Sequence, residues 1–333
     1  MDLLADMLRI SGVRGTVAAR VEAGESWRYW KPATPGAAFH AVTSGVAWLE
    51  LPGKSPIKLM PGDVVLLPSG IGHRIGSDPE ALALPYDSAV IEEAGTDGEV
   101  YRLGSGPVQT HILCASYEHD PAVSTQVLQL LPEVVHIRAD NGGGSLDDTV
   151  RLLARELAHP QVATSIVLDS LVDILLVQLL RVWLATGEAE SEASWLGVLR
   201  DPVIGEALEK VHADPARAWT TAALATEINV SRATLSRRFP VVVGQSPAAY
   251  LTRWRMDLAA LRLRDTNDSL ETIARSVGYT SVYAFSRAFS RTRSQSPARY
   301  RIISRNKEQN DLNGDGSRDD GTPLPNSVSN PMR

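Results

Sequence analysis

The sequence predicts a multidomain α+β chain: an antiparallel β barrel or jelly roll first, a helical linker next, and an all-α domain of two helix-turn-helix units last. Three observations carry this. Residues 1–140 hold short β-rich runs between Gly and Pro turns, among them "FHAVTSGVAWLEL", "IKLMPGDVVLLPSGIGHRI" and "VQTHILCASYEH". Residues 145–200 turn helical and apolar. Residues 231–250 then recur fifty positions later, at 281–300, with nine identities in twenty.

The N-terminal runs alternate as half-buried strands do. The start, "MDLLADMLRISGVRG", is acidic before it is apolar and reads as no signal peptide. The chain has 333 residues, enough for two cores, and a single cysteine, Cys114. One thiol forms no disulfide within the chain and fits the cytoplasm.

In the middle region, "LDDTVRLLARELA" is amphipathic, and residues 164–185 are apolar nearly all round. Asp169, Asp173 and Arg181 interrupt that run, at about 2.5–3.5 kcal/mol each near a bilayer centre, so no membrane span is expected. A helix of this kind faces a core or a partner, and residues 146–186 are the expected homodimer contact.

Charge separates the last domain from the rest. The chain as a whole carries −6. Residues 215–305 hold fifteen arginines, no lysine and five acids, a balance of +10, leaving −16 elsewhere. A basic end on an acidic chain points to a polyanion, double-stranded DNA, as its partner.

The repeat says what meets it. In "LATEINVSRATLSRRF", Asn229 tolerates a left-handed turn, Ser231 caps a new helix, and Leu235 and Phe239 point inward. In "SLETIARSVGYTSVYAFSRAF", Ser269 caps, Gly278 turns, Thr280 or Ser281 caps again, and Phe285 and Phe289 point inward. Helix, tight turn, helix is the DNA-binding unit, here written twice. The faces opposite the inward residues are Arg232, Ala233, Ser236 and Arg237, and Val282, Tyr283, Ser286 and Arg287. Arginine grips guanine bidentately, serine bonds to bases or phosphates, and the apolar residues meet thymine methyls. Arg238, Arg291, Arg293 and Arg299 are the candidate phosphate contacts. Between the units, "SPAAYLTRWRMDLAALRLRDT" has no breaker after Pro247 and forms one connecting helix.

Together, residues 219–302 resemble the AraC/XylS-type DNA-binding domain of bacterial transcription regulators. The resemblance places the family's base-contacting face on the same eight residues. It implies a homodimer and, for an activator, contact with RNA polymerase. Two positions depart from the pattern. Pro240 should end or kink the first reading helix. Ser294 stands where the first copy has Gly244, and is strained if the turn needs φ > 0.

"PGDVVLLPSGIGHRI" is similar to the second cupin motif, with Gly62, Pro68, Gly70 and His73 in register. The first motif keeps only His40 where metal cupins place two histidines and a glutamate. Two histidines fall short of a transition-metal set, so neither metal nor cofactor is expected. The order of these segments resembles the AraC-type subgroup with a cupin-like sensor, in which His40 and His73 become effector-binding candidates for a small molecule. Some regulators of that subgroup respond to oxidants, which makes Cys114 a redox candidate. On a half-buried strand it is otherwise a small core residue.

The expected division is a sensor at 1–140, a linker at 141–200, a DNA-binding domain at 201–305 and a disordered tail at 306–333. The tail's "DLNGDGSRDDGT" has calcium-loop spacing but no closing glutamate. The expected function is sequence-specific transcription regulation. A DNA-tethered cupin enzyme, the competing reading, needs a metal set or an acid–base pair that the motifs do not show.

Overall fold

In the computed structural model the described residues are 3–81, 84–85, 90–95, 98–118, 128, 131–140, 143–185 and 201–312. The chain begins with helix α1 (Leu3–Ser11), and strands follow. They are β1 (Arg14–Glu25), β2 (Arg28–Lys31), β3 (Ala37–Ser44), β4 (Ala47–Glu50), β5 (Ile57–Leu59) and β6 (Val64–Leu67). After them come β7 (His73–Gly76), β8 (Leu84–Pro85), β9 (Val90–Gly95), β10 (Gly98–Leu103), β11 (Ser105–Glu118) and β12 (Val135–Ile137). They form a seven-stranded sheet, ordered β12-β6-β3-β11-β1-β10-β9, facing a five-stranded sheet, ordered β5-β4-β7-β2-β8. The result is a sandwich rather than a closed barrel. Most pairs are antiparallel, as expected, but β1–β10 and β2–β8 are parallel.

Strand alternation explains two cores. On β3, Ala38 and Val42 face the second sheet, while Ala37, Phe39 and Ala41 face the helices. The helices are α2 (Gly143–Ala158) and α3 (Thr164–Ala185), which lies against β1. Tyr117 donates its hydroxyl to the Val172 carbonyl at 2.9 Å, and the Gly15 amide donates to Asp173 at 2.8 Å. A Cβ on Gly15 would stand 2.2 Å from Val172, so glycine lets the helix sit this close. No helix among the described residues is long and apolar enough to cross a membrane.

The last domain holds α4 (Pro202–Ala213), α5 (Thr221–Glu227), α6 (Arg232–Val243), α7 (Pro247–Asp265), α8 (Leu270–Ser276), α9 (Val282–Arg293) and α10 (Pro297–Leu312). α10 runs past residue 306, where the tail was expected to begin. Residues 313–333, which hold most of the calcium-like spacing, lie outside the described residues.

The two helix-turn-helix units do not share a core. Met256, Ile273, Phe285 and Phe289 form one around the second unit. Leu224, Leu235, Phe239 and Trp254 of the first unit instead join the cluster that runs to the β-sandwich. The link is α1. Its buried Leu3, Met7 and Ile10 follow helical spacing and lie against α4 and α7. Although α1 precedes the sandwich in sequence, it packs with the DNA-binding domain.

Candidate nucleic-acid interface and effector site

Each reading helix is set by local chemistry. Before α6, Asn229 takes φ 54° and the Val230 amide closes on the Ala225 carbonyl at 2.9 Å. The Ser231 hydroxyl then accepts from the Thr234 amide at 3.0 Å. Leu235 and Phe239 are fully buried, which turns Arg232, Ala233, Ser236 and Arg237 outward, all exposed. The second unit repeats this with Gly278 at φ 81° and Ser281 as the cap. There Tyr283 and Arg287 are exposed, and Val282 and Ser286 are half-buried. The Arg287 guanidinium lies 5.8 Å from the Tyr283 ring centre. Both residues line an open groove of about 700 Å³, shared with Thr252, Tyr279, Ser286 and Arg291.

Pro240 does not shorten α6, which continues to Val243. It sits in the last turn, where only the Ser236 carbonyl forgoes a partner. Its own carbonyl accepts from the Gly244 amide at 2.9 Å. Ser294 does adopt the left-handed conformation, at φ 56°.

The four candidate phosphate arginines divide. Arg291 and Arg299 are exposed. Arg238 is exposed but bonds Asp201, the cap of α4, at 2.7 Å. Arg293 corrects the expectation. It follows Phe289 by one turn and therefore turns inward, where it pairs with Asp257 of α7. Its side chain is 4% exposed, out of reach of a phosphate.

One residue that sequence reasoning passed over fixes the two units to each other. Arg255 of α7 donates to the Pro215 carbonyl at 2.7 Å and the Arg217 carbonyl at 2.9 Å, and it lies over Tyr279, next to the Gly278 turn. α7 has 19 residues, about 28 Å of rigid rod.

In the sandwich, His40, His73 and Cys114 come together from β3, β7 and β11. His40 and Cys114 are direct cross-strand partners. His40 Nε2 is 2.9 Å from His73 Nε2, and His40 Nδ1 is 3.2 Å from Cys114 Sγ. His73 Nδ1 is 2.8 Å from the Ile71 carbonyl, which can only accept. That fixes every proton of the neutral chain. His73 donates from Nδ1, His40 donates from Nε2 to His73, and the Cys114 thiol donates to His40 Nδ1.

Burial keeps these groups uncharged. Burial first, then the facing His73, then Lys31, hold His40 well below its ordinary value. Burial lowers His73 to about 4 against the pull of the Ile71 hydrogen bond, and Lys31 adds to the lowering. Burial raises the Cys114 thiol to about 11. A buried, protonated thiol is a poor nucleophile, so this geometry favours a hydrogen-bonding role for Cys114 over the redox role considered from sequence. Among the described residues no three His, Cys, Asp or Glu side chains are placed to hold a metal ion.

Comparison with known proteins gives these two sites a common context. Residues 2–185 match the model of a cupin family, and residues 224–302 match that of a helix-turn-helix domain. An AraC-like transcription regulator of Streptomyces lividans is 37% identical over 303 residues, 90% of this chain and 98% of that one. The transcriptional regulator MtrA of Neisseria gonorrhoeae is 30% identical over 309 residues, with the same two coverages. The RCS-specific transcriptional activator RclR of Escherichia coli is 26% identical over 306 residues, 90% of this chain and 97% of that one.

Proposed function

The chain belongs to the AraC-type DNA-binding transcription regulators that carry an N-terminal cupin domain, and on that premise we propose how it reads DNA and what controls the reading. Arg232, Ala233, Ser236 and Arg237 read one major-groove segment. Val282, Tyr283, Ser286 and Arg287 read a second. Arg291 and Arg299 hold phosphates, and Arg238 joins them where it can leave Asp201.

The observation that supports this best is the pairing of two exposed reading faces with one connecting helix. Both helices are serine-capped, both present an arginine at the matching position, and Arg255 braces them.

The sandwich is the sensor in this reading. A small effector sits near His40 and His73, and α1 carries its effect to the first unit, whose core it shares. Two copies associate through α2 and α3. Ile166 and Ile174 of α3 are 69% and 45% exposed, flanked by Asp169, Asp173 and Arg181. Antiparallel α3 helices bring those acids toward the partner's arginine. The protein works in the cytoplasm, and as an activator it also touches RNA polymerase.

Fluorescence anisotropy of the full chain on DNA from upstream of its own gene tests the reading. Specific binding whose logarithm falls linearly with the logarithm of salt supports it, and equal affinity for scrambled DNA contradicts it.

A further inference from the structure

The sandwich interior holds a cation without a counter-charge. On β2, residues alternate strictly: Arg28 and Trp30 face out, while Tyr29 is buried in the inter-sheet core. Outside, Arg28 and Arg74 both bond Glu50, and Arg74 lies 5.2 Å from the Trp30 ring centre. Lys31 therefore falls on the inner face, directly opposite His73 in the ladder, and is half-buried. Its ammonium field reaches His40, His73 and Cys114. No carboxylate among the described residues pairs with it.

An inward-facing cation with no partner is costly unless something else neutralises it. The neighbouring groups do not. The protons of His73, His40 and Cys114 are committed along the chain from the Ile71 carbonyl, and all three are neutral. Metal cations are disfavoured by the same ammonium. One cation, with both nearby guanidiniums held outside by Glu50, suits a single negative charge rather than a phosphate dianion. The walls around it, Tyr29, Val65 and Leu67, are buried, and Ile71 packs beside them.

We propose that this site binds a small monocarboxylate with an apolar body, its carboxylate paired with Lys31. The proposal rests on the sensor reading above and names the class of its effector. When the ligand is bound, the carboxylate supplies the missing counter-charge at Lys31 and the apolar body lies along the strands.

Calorimetry and thermal unfolding of the full chain test it with three probes of one body: hexanoate, 1-hexanol and hexylamine. Hexanoate should bind and raise the melting temperature, hexanol should bind at least about ten-fold more weakly, and hexylamine should not bind. Lys31→Met should weaken hexanoate about 10- to 100-fold, and Lys31→Arg should retain most of the affinity. Lys31→Met should also melt higher than the wild type without ligand, because an unpaired half-buried charge has gone. Equal binding of hexanoate and hexanol, or unchanged hexanoate binding by Lys31→Met, overturns the carboxylate pairing and leaves an uncharged sensor site standing. No binding of hexanoate at its solubility limit, or a lower melting point for Lys31→Met, also overturns it. The sensor reading is judged separately, by whether His40→Ala/His73→Ala abolishes induction of a reporter while DNA binding persists.

Discussion

Asp257 of the connecting helix and Arg293 at the end of the second reading helix form an ion pair whose side chains are 0% and 4% exposed. Breaking a buried pair leaves one charge stranded, at about 3–5 kcal/mol. Arg293→Ala should therefore destabilise the second unit by that order in urea unfolding. Arg299→Ala, at an exposed position, should leave stability within about 0.5 kcal/mol and lower the salt slope of DNA binding by about one. A stability loss for Arg299 equal to that for Arg293 would contradict the division of the arginines.

Arg237 and Arg287 occupy matching positions of the two reading helices. Each change to alanine should cost about 1–3 kcal/mol on the cognate site. Random DNA should be bound almost as before. Anisotropy on both sequences distinguishes base reading from phosphate contact, since a phosphate contact is lost equally on each.

Acid should destabilise the chain. Burial lowers His212, stacked on Trp254 at 3.5 Å, to about 3 and His73 to about 4. Unfolded, both return to about 6.5, so between these values the unfolded chain binds more protons. The stability these residues contribute is full above about pH 6.5. It falls as pH drops toward the folded values, by up to about 1.4 kcal/mol per unit for each. Urea midpoints should be lower near pH 5.5 than near pH 7.5, and equal midpoints would refute the buried neutral histidines.

Residues 200–305 alone should bind DNA with the salt dependence of the full chain. The fragment lacks α1, so it uncovers apolar surface on α4 and α7 where Leu3, Met7 and Ile10 sit. Its first unit should melt below its second. Calorimetry checks this, and a single transition at the full-chain temperature would show that α1 adds nothing.

What the sequence disclosed was what local chemistry encodes. Ser231, Ser269 and Ser281 announce helix starts because a hydroxyl has one preferred use before an apolar run. Gly278 and Asn229 announce the turns, and the repeat announces the second unit. His40 and His73 were legible through motif spacing. Long-range pairing was not. Nothing near Arg293 signals Asp257, thirty-six residues back, and an arginine in a basic stretch reads as exposed. Lys31 was hidden for the opposite reason. The alternation of "WRYWK" places it inward beside Tyr29, but a charge at a strand end reads as solvent-facing. Pro240 misled because a proline's cost depends on which turn of the helix it occupies.

The claim of two reading heads on one strut is tested most directly by chemical interference footprinting on a bound operator. Recognition helices braced by α7 and Arg255 should give two clusters of critical bases on one face of the DNA, about 10–10.5 base pairs apart. Arg237→Ala should erase one cluster and Arg287→Ala the other. A single cluster, or the same cluster lost in both variants, would contradict it.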